Sequence, residues 1–394
     1  MMRAVFDEKK YCCGCSACFS VCPKNAIAMQ EDTEGFVFPQ INQKLCVDCG
    51  LCRKICNFQN RIAYSVDHQA YAAVTKDKFL LMKSSSGGIF ATLAKEFIKS
   101  GGYVSGAVYD QKFRVQHIVS NSISDIYRMQ GSKYVQSMSG TVFSQVRELL
   151  DAGEHVMFSG TPCQVDGLYG FLQKDYENLY TIDIVCHGVP SNQLFQKYLE
   201  FEEKKHGKIE VIKFRDKQYG WGTNGIIKFK NYKKKINSAS SEYYYLFNEG
   251  SVFRDACYSC KYAGLDRPAD ITLGDYWGIE KTDFELLKTN HLDEKKGISL
   301  ILSNSLKGSK LLELCQESIC LYQSTPEKVS KYNHNLNVPS KMPENRSDTL
   351  EIANQSFDKI SKIISGKMKK KKLSNLIKNI VPSKLKLLIK RKCK

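Results

Sequence analysis

The sequence predicts two folds in tandem, a short α+β module over residues 1–60 and then an α/β domain with a mixed sheet and a β-rich insertion. Three observations carry this. Two dense cysteine runs occupy the first 60 residues, with little apolar periodicity between them. Beyond Asn60, β-branched and aromatic runs alternate with helical stretches. From about 205 to 256 the chain is rich in Lys, Tyr and Phe in strand rhythm, as in "IIKFKN" (226–231), which reads as a hairpin insertion.

Composition sets the frame. A chain of 394 residues with 42% hydrophobic content can bury the cores of two or three domains. Sixteen cysteines without a secretory leader argue against a disulfide scaffold and for reduced thiolates in the cytoplasm, available to metal. No apolar run reaches the roughly 20 residues that cross a bilayer. The net charge of +17 suggests nucleic acid until it is mapped: no acidic residue follows Asp358, so most of the excess belongs to the tail. The body is only mildly basic, and no nucleic-acid groove is expected.

The first run spaces Cys12, Cys15, Cys18 and Cys22 by two, two and three residues and closes on Pro23; the second repeats this with Cys46, Cys49, Cys52 and Cys56. Three thiolates on a tight loop hold three corners of a 4Fe-4S cube, and the fourth comes from the other run. One cluster is therefore expected on Cys12, Cys15, Cys18 and Cys56, and a second on Cys46, Cys49, Cys52 and Cys22. Gly14 and Gly50 let the backbone wrap closely, and Asn57 stands where a second proline would close the second run. Zinc knuckles are the rival, but zinc takes two pairs of ligands rather than two identical runs of four. Cys13 is left over as a spare thiol. Residues 1–60 thus resemble a two-cluster bacterial ferredoxin, an α+β ferredoxin-like dicluster domain that carries single electrons.

In the body, "AYAAV" (70–74), "YVSGAVYD" (103–110), "HVMFSG" (155–160) and "LYTIDIVC" (179–186) read as strands, and 87–101, 141–153 and the segment after Pro190 as helices. "SSSGGIF" (84–90) places serines and two glycines at a helix start, which suits a phosphate but is equally an ordinary cap. "QGSKYVQS" (130–137) reads as a polar loop. "SGTPCQ" (159–164) ends a strand, with Thr161 capping, Pro162 in the first helical position and Cys163 at the sheet edge where α/β proteins bind ligands. Cys186 ends the next strand, and Cys257 and Cys260 form a close pair farther on. Four such thiolates are enough for a third cluster. A zinc site, a Cys186–His187 dyad and inert buried thiols compete with it; alternation along a strand disfavours the dyad, and the electron wire at the front favours the cluster.

These motifs, with "CHGVPS", "CYSCKYA" and "RPADITLGDYWG", resemble the coenzyme F420 hydrogenase/dehydrogenase β-subunit family from about residue 1 to 330, with the ferredoxin module fused at the front. The resemblance implies FAD beside a 4Fe-4S cluster, and an enzyme that moves electrons between one-electron clusters and a two-electron carrier. It places the cluster ligands at Cys163, Cys186, Cys257 and Cys260. It places flavin contacts at Ser86, Gly87 and Gly88 and at Gly131, Ser132, Lys133 and Tyr134. Lys133 is then the cation that stabilises the reduced flavin, against the plainer reading of a solvated turn lysine. Asp270 and Asp275 either orient groups near the cluster or cap structure.

The expected domains are 1–60, the front (61–150) and back (151–330) of one flavin and cluster domain, a helical linker at 331–365 and a basic amphipathic tail at 366–394. Lysines interleaved with Leu373, Leu376, Ile377 and Ile380 suit an anionic membrane surface. The other partners expected are a ferredoxin-like donor or acceptor and a two-electron carrier or small molecule. The alternative to an enzyme is a non-catalytic electron-transfer subunit serving a separate reductase.

Overall fold

A computed structural model describes residues 4–60 and 68–380, with side chains through residue 370. The front module is built on two strands, β1 (Ile27–Glu31) and β2 (Val37–Ile41), paired antiparallel so that Ile27 faces Ile41. Each cysteine loop runs into a short helix, Ala17–Val21 or Leu51–Lys54. The two loops share one backbone form: φ is +72° at Gly14 and +70° at Ser16, and +54° at Asp48 and +70° at Gly50. Only half of these left-handed positions are glycine; the turns around the thiols impose the strain on Ser16 and Asp48 as well.

The body is a mixed sheet of eight strands. In chain order they are β3 (Gln69–Thr75), β4 (Tyr103–Tyr109), β5 (Val115–Ser120), β6 (Val156–Gly160) and β7 (Leu179–Ile184), followed, after the insertion, by three more. The insertion is a three-stranded antiparallel sheet of β8 (Ile209–Lys213), β9 (Gly225–Phe229) and β10 (Lys233–Ile236). Then come β11 (Ile271–Asp275), β12 (Ser299–Ser303) and β13 (Ile319–Ser324). The order across the large sheet is β13, β3, β12, β11, β7, β6, β4, β5. Its centre, β4 to β11, is parallel, and the flanking strands are antiparallel. Parallel strands buried on both faces need continuous apolar runs, and Val156, Met157 and Phe158 are all fully buried.

The helices follow their sequence signals. Ile89–Lys99 starts behind Gly88, at φ +85°, and Pro162–Leu172 starts at a capping box of Thr161 and Gln164 with Pro162 in its first turn. Asn192–His206 begins where Ser191 accepts from the Leu194 amide and packs under the small sheet. The last helices, Arg346–Gln355 and Phe357–Ile380, bury Leu350, Ala353, Phe357, Ile360 and Ile364 in that same core. Phe357–Ile380 runs on past residue 365 and buries Met368. The side chains of 371–380 and all of 381–394 lie outside the described residues, as do the tail contacts expected there. No helix among the described residues is long and apolar enough to cross a membrane.

Candidate functional site

The front module surrounds two cavities. One is lined by Cys12, Cys13, Cys15, Cys18 and Cys56 with Ile55, Met29 and Pro39. The other is lined by Cys22, Cys46, Cys49 and Cys52 with Pro23, Lys24, Ile27 and Val47. The crossed grouping, three thiols from one run and one from the other, is thus present in the backbone path. Among the described residues no three His, Cys, Asp or Glu side chains close around a single ion. Three thiols from one run and one from the other is the grouping a 4Fe-4S cube takes. The cavities differ in setting: Cys18 is buried, whereas Cys49, Leu45 and Val47 stand exposed at the second. Burial pushes the Cys56 thiol up to about 11, and Cys15 adds to it.

The module docks on the helix Pro162–Leu172. A β-carbon on Gly167 would lie 2.7 Å from Cys15 Sγ, and one on Gly170 would lie 2.3 Å from the Ile55 carbonyl oxygen. Asn57 Nδ2 donates to the Asp166 carboxylate at 2.8 Å and to its carbonyl at 3.0 Å, while Tyr262 donates to the same carboxylate at 2.6 Å. The departure from proline at Asn57 therefore supplies two of the hydrogen bonds that hold the module to the body.

Behind this seam the four body cysteines converge. Cys163 follows β6, Cys186 follows β7, and Cys257 and Cys260 come from the segment after the insertion. Burial raises Cys186 well above the usual thiol range, and Cys257, Cys163 and Cys260 each raise it further. Burial likewise takes Cys257 to about 12. The four half-buried thiols, three of which act on Cys186, form a donor set able to hold a metal group. His187 turns away to Asn335, 2.8 Å from its Nδ1. Cys13 is not a bystander. It is buried in a cluster with Tyr262 and Phe58, packs against Cys15, Cys56, Cys163 and Cys260, and lines the first cavity. Its position in the first run carried no signal of this.

The two loops singled out as flavin contacts meet each other. Ser132 N and Oγ both lie 2.9 Å from Ser85 Oγ, and Gln130 Nε2 donates to Ser84 Oγ at 2.8 Å. Gly87 donates its amide to Ser299 Oγ at 2.9 Å, and a β-carbon there would strike the Ala73 carbonyl at 2.3 Å, so this glycine lets the loop press on β3 and β12. Ser86 donates to the Ile298 carbonyl. A β-carbon on Gly131 would meet nothing within 4 Å. Lys133 Nζ donates to the carbonyls of Met129, Gln130 and Gly131 at 3.0, 3.1 and 3.3 Å, closing the helix Ile123–Met129. Burial pushes its ammonium down to about 7. Tyr134 stacks on Phe247, with centroids 4.3 Å apart.

One wall of this site was not foreseen. Arg215 forms an ion pair with Asp275 at 2.8 Å and donates to the Ser85 carbonyl at 3.1 Å. Trp221 donates to Asp275 at 2.7 Å and stacks on Trp277 with centroids 4.6 Å apart. Asp275 is thus an electrostatic hub, while Asp270 caps Thr181 and takes the Ser305 hydroxyl. The segment "QGSKYVQS" then links this wall to the cysteines, for Gln136 Nε2 donates to the Cys13 carbonyl at 3.2 Å.

Residues 11–60 match the 4Fe-4S dicluster domain. Residues 153–329 match the family described as the C terminus of the beta subunit of coenzyme F420 hydrogenase/dehydrogenase. The two matches lie in tandem along the chain. The first supports 4Fe-4S clusters in the front module, and the second relates residues 153–329 to the F420 hydrogenase/dehydrogenase beta subunits. The second match includes Cys163, Cys186, Cys257 and Cys260; the loops at 84–90 and 130–137 lie outside both matches. Among solved structures, a chain of the F420-reducing NiFe hydrogenase complex from Methanosarcina barkeri is similar, at 17% identity and a TM-score of 0.44 over 77% of this chain and 92% of that one. No curated protein matches.

Proposed function

We propose that the chain is an iron-sulfur flavoprotein oxidoreductase that passes electrons between ferredoxin-type one-electron carriers and a two-electron carrier or substrate of the F420 class. The observation that carries this reading is the loop from Gln130 to Ser137, which touches Ser85 at one end and Cys13 at the other. Cys12, Cys15, Cys18 and Cys56 hold one cluster; Cys22, Cys46, Cys49 and Cys52 hold the second; Cys163, Cys186, Cys257 and Cys260 hold a third. Ser86, Gly87, Gly88, Gly131, Ser132, Lys133 and Tyr134 form the FAD site. Bound FAD supplies the exchange between single electrons and a hydride.

This chain's own residues then do three things. Gly131 leaves room for a ligand, and the stacked Trp221 and Trp277 keep water from one side. Lys133, with an ammonium near neutrality, is the group able to hold or release a proton beside the ring once it leaves the three carbonyls. Arg215, held by Asp275, keeps a buried Nε without a partner among the described residues, a donor available to an anionic ligand atom.

The experiment is anaerobic purification followed by release and quantification of flavin, then reduction of the bound flavin by an F420-type carrier with no partner protein present. One FAD per chain that bleaches on adding the carrier is the expected result; protein without flavin overturns the flavoprotein half. A second reading, an electron-transfer subunit without a substrate pocket, has its own support: the Gly87 amide and the Lys133 ammonium are already satisfied within the fold. Flavin that no carrier reduces in isolation would favour it. The tail from 366 is proposed to attach peripherally to an anionic membrane; equal binding to acidic vesicles by full-length protein and by a truncation after residue 370 would reject that.

A further inference from the structure

Arg254 is among the largest fully buried side chains, 1% exposed, and it sits between the front module and the body. Its Nε donates to the Cys12 carbonyl at 2.7 Å, Nη1 to Gln136 Oε1 at 3.2 Å, and Nη2 to the Val37 carbonyl at 2.9 Å and toward Cys12 Sγ at 3.6 Å. The guanidinium also lies over the Phe38 ring at 4.0 Å. These partners are carbonyls, an amide, a ring and a thiol. No carboxylate pairs with Arg254 among the described residues, whereas the other deeply buried arginines do have one: Arg267 has Asp183 at 2.8 Å and Arg346 has Glu34 at 3.0 Å.

A buried guanidinium cannot shed its proton, and holding it in a low dielectric without a counter-charge is costly. Among the described residues the one group in contact with it that can carry negative charge is the Cys12 sulfur, 3.6 Å from Nη2, so the missing counter-charge is what this cysteine and the group it holds carry. Gly14 fits the same account: a β-carbon there would stand 2.6 Å from Gln136 Nε2 and 3.0 Å from Arg254 Nη1, so glycine leaves the pair undisplaced against the loop.

We propose that Arg254 is a positioning residue that biases electrons inward, by stabilising the reduced, more negative state of the buried cluster on Cys12, Cys15, Cys18 and Cys56 relative to the exposed cluster at Cys49. The inference rests on the ligand sets given under Proposed function. A nearby buried cation and a hydrogen bond to a ligating sulfur raise a cluster's potential; the cation lining the second cavity, Lys24, is exposed to water that screens it, as are Cys49 and Val47.

The test is an EPR-monitored redox titration of anaerobic full-length protein, with a dysprosium chelate in solution to broaden the signal of the exposed cluster. In the natural protein the shielded signal that Cys257→Ser retains, that of the cluster on Cys12, Cys15, Cys18 and Cys56, should lie at least tenfold, about 59 mV for one electron, above the broadened one. In Arg254→Gln the shielded signal should fall by at least tenfold and the broadened one stay, while Arg254→Lys should fall less. Iron content tells two failures apart. Protein lacking the iron of two clusters sinks the ligand assignment; iron-replete Arg254→Gln with unmoved potentials overturns the role of Arg254. Should Arg254→Gln not fold, the natural protein decides alone, and shielded and exposed signals at one potential overturn the inference.

Discussion

The contact between the two domains makes Gly170→Ala the sharpest perturbation. The added methyl would sit 2.3 Å from the Ile55 carbonyl oxygen and 3.2 Å from the Asn57 side-chain carbon. That oxygen is backbone, one residue before Cys56, so it cannot yield without moving a cysteine of the first cavity. Overpacking of this kind costs about 1–3 kcal/mol, and a backbone obstacle puts it at the upper end. Alanine in place of a helical glycine returns about 1 kcal/mol. The net loss of about 2 kcal/mol is roughly a thirtyfold shift in the docking equilibrium. The assay is anaerobic urea unfolding followed by the visible absorbance of the dicluster domain. Gly366→Ala is the control, for its β-carbon would meet nothing and helix propensity alone should act. Asn57→Ala, which strips both bonds to Asp166, should weaken the same transition by about 1–3 kcal/mol. A Gly170→Ala protein that unfolds at the natural midpoint would refute the docking geometry.

Two other perturbations reach the body. Arg267→Ala leaves the Asp183 carboxylate buried without its counter-charge at the end of β7, where Ile184 and Val185 lead on to Cys186; the expected loss is about 3–5 kcal/mol in urea unfolding. His117 is 5% exposed, accepts at Nδ1 from Ser137 and donates at Nε2 to the Ser159 carbonyl, and burial pushes its pKa down to about 4. The unfolded chain takes up that proton below about 6.5, so stability is full above this pH and is lost as the pH falls toward 4, by about 3 kcal/mol. His117→Gln should flatten that slope; an unchanged slope would refute the assignment.

Much of the architecture was legible because the signals were local. The repeated cysteine spacing fixed the front module, and β3, β4, β6 and β7 fall within a residue or two of the runs that predicted them. Thr161 and Pro162 start their helix as their chemistry demands. β5, β11, β12 and β13 were not read as strands: all are five or six residues long, too short for a distinctive period, and β11 lies inside the motif "RPADITLGDYWG". The site was legible where residue type sets the chemistry, as with thiolates, and opaque where tertiary placement does. Cys13 looked spare and packs against Cys15 and Cys163; Asn57 looked like a harmless departure and ties the domains together. Arg254 and Arg215 bore no motif, because a buried charge is recognised only by what surrounds it. Gly87 illustrates the reverse: a glycine beside serines suggested a ligand, whereas strand packing already requires it.

Iron and acid-labile sulfide per chain, counted on anaerobically prepared natural protein and on Cys257→Ser, test the convergence of the body cysteines most directly. The account predicts about twelve irons for three 4Fe-4S clusters, falling to about eight in the variant with the dicluster signals intact. About eight in both would contradict it.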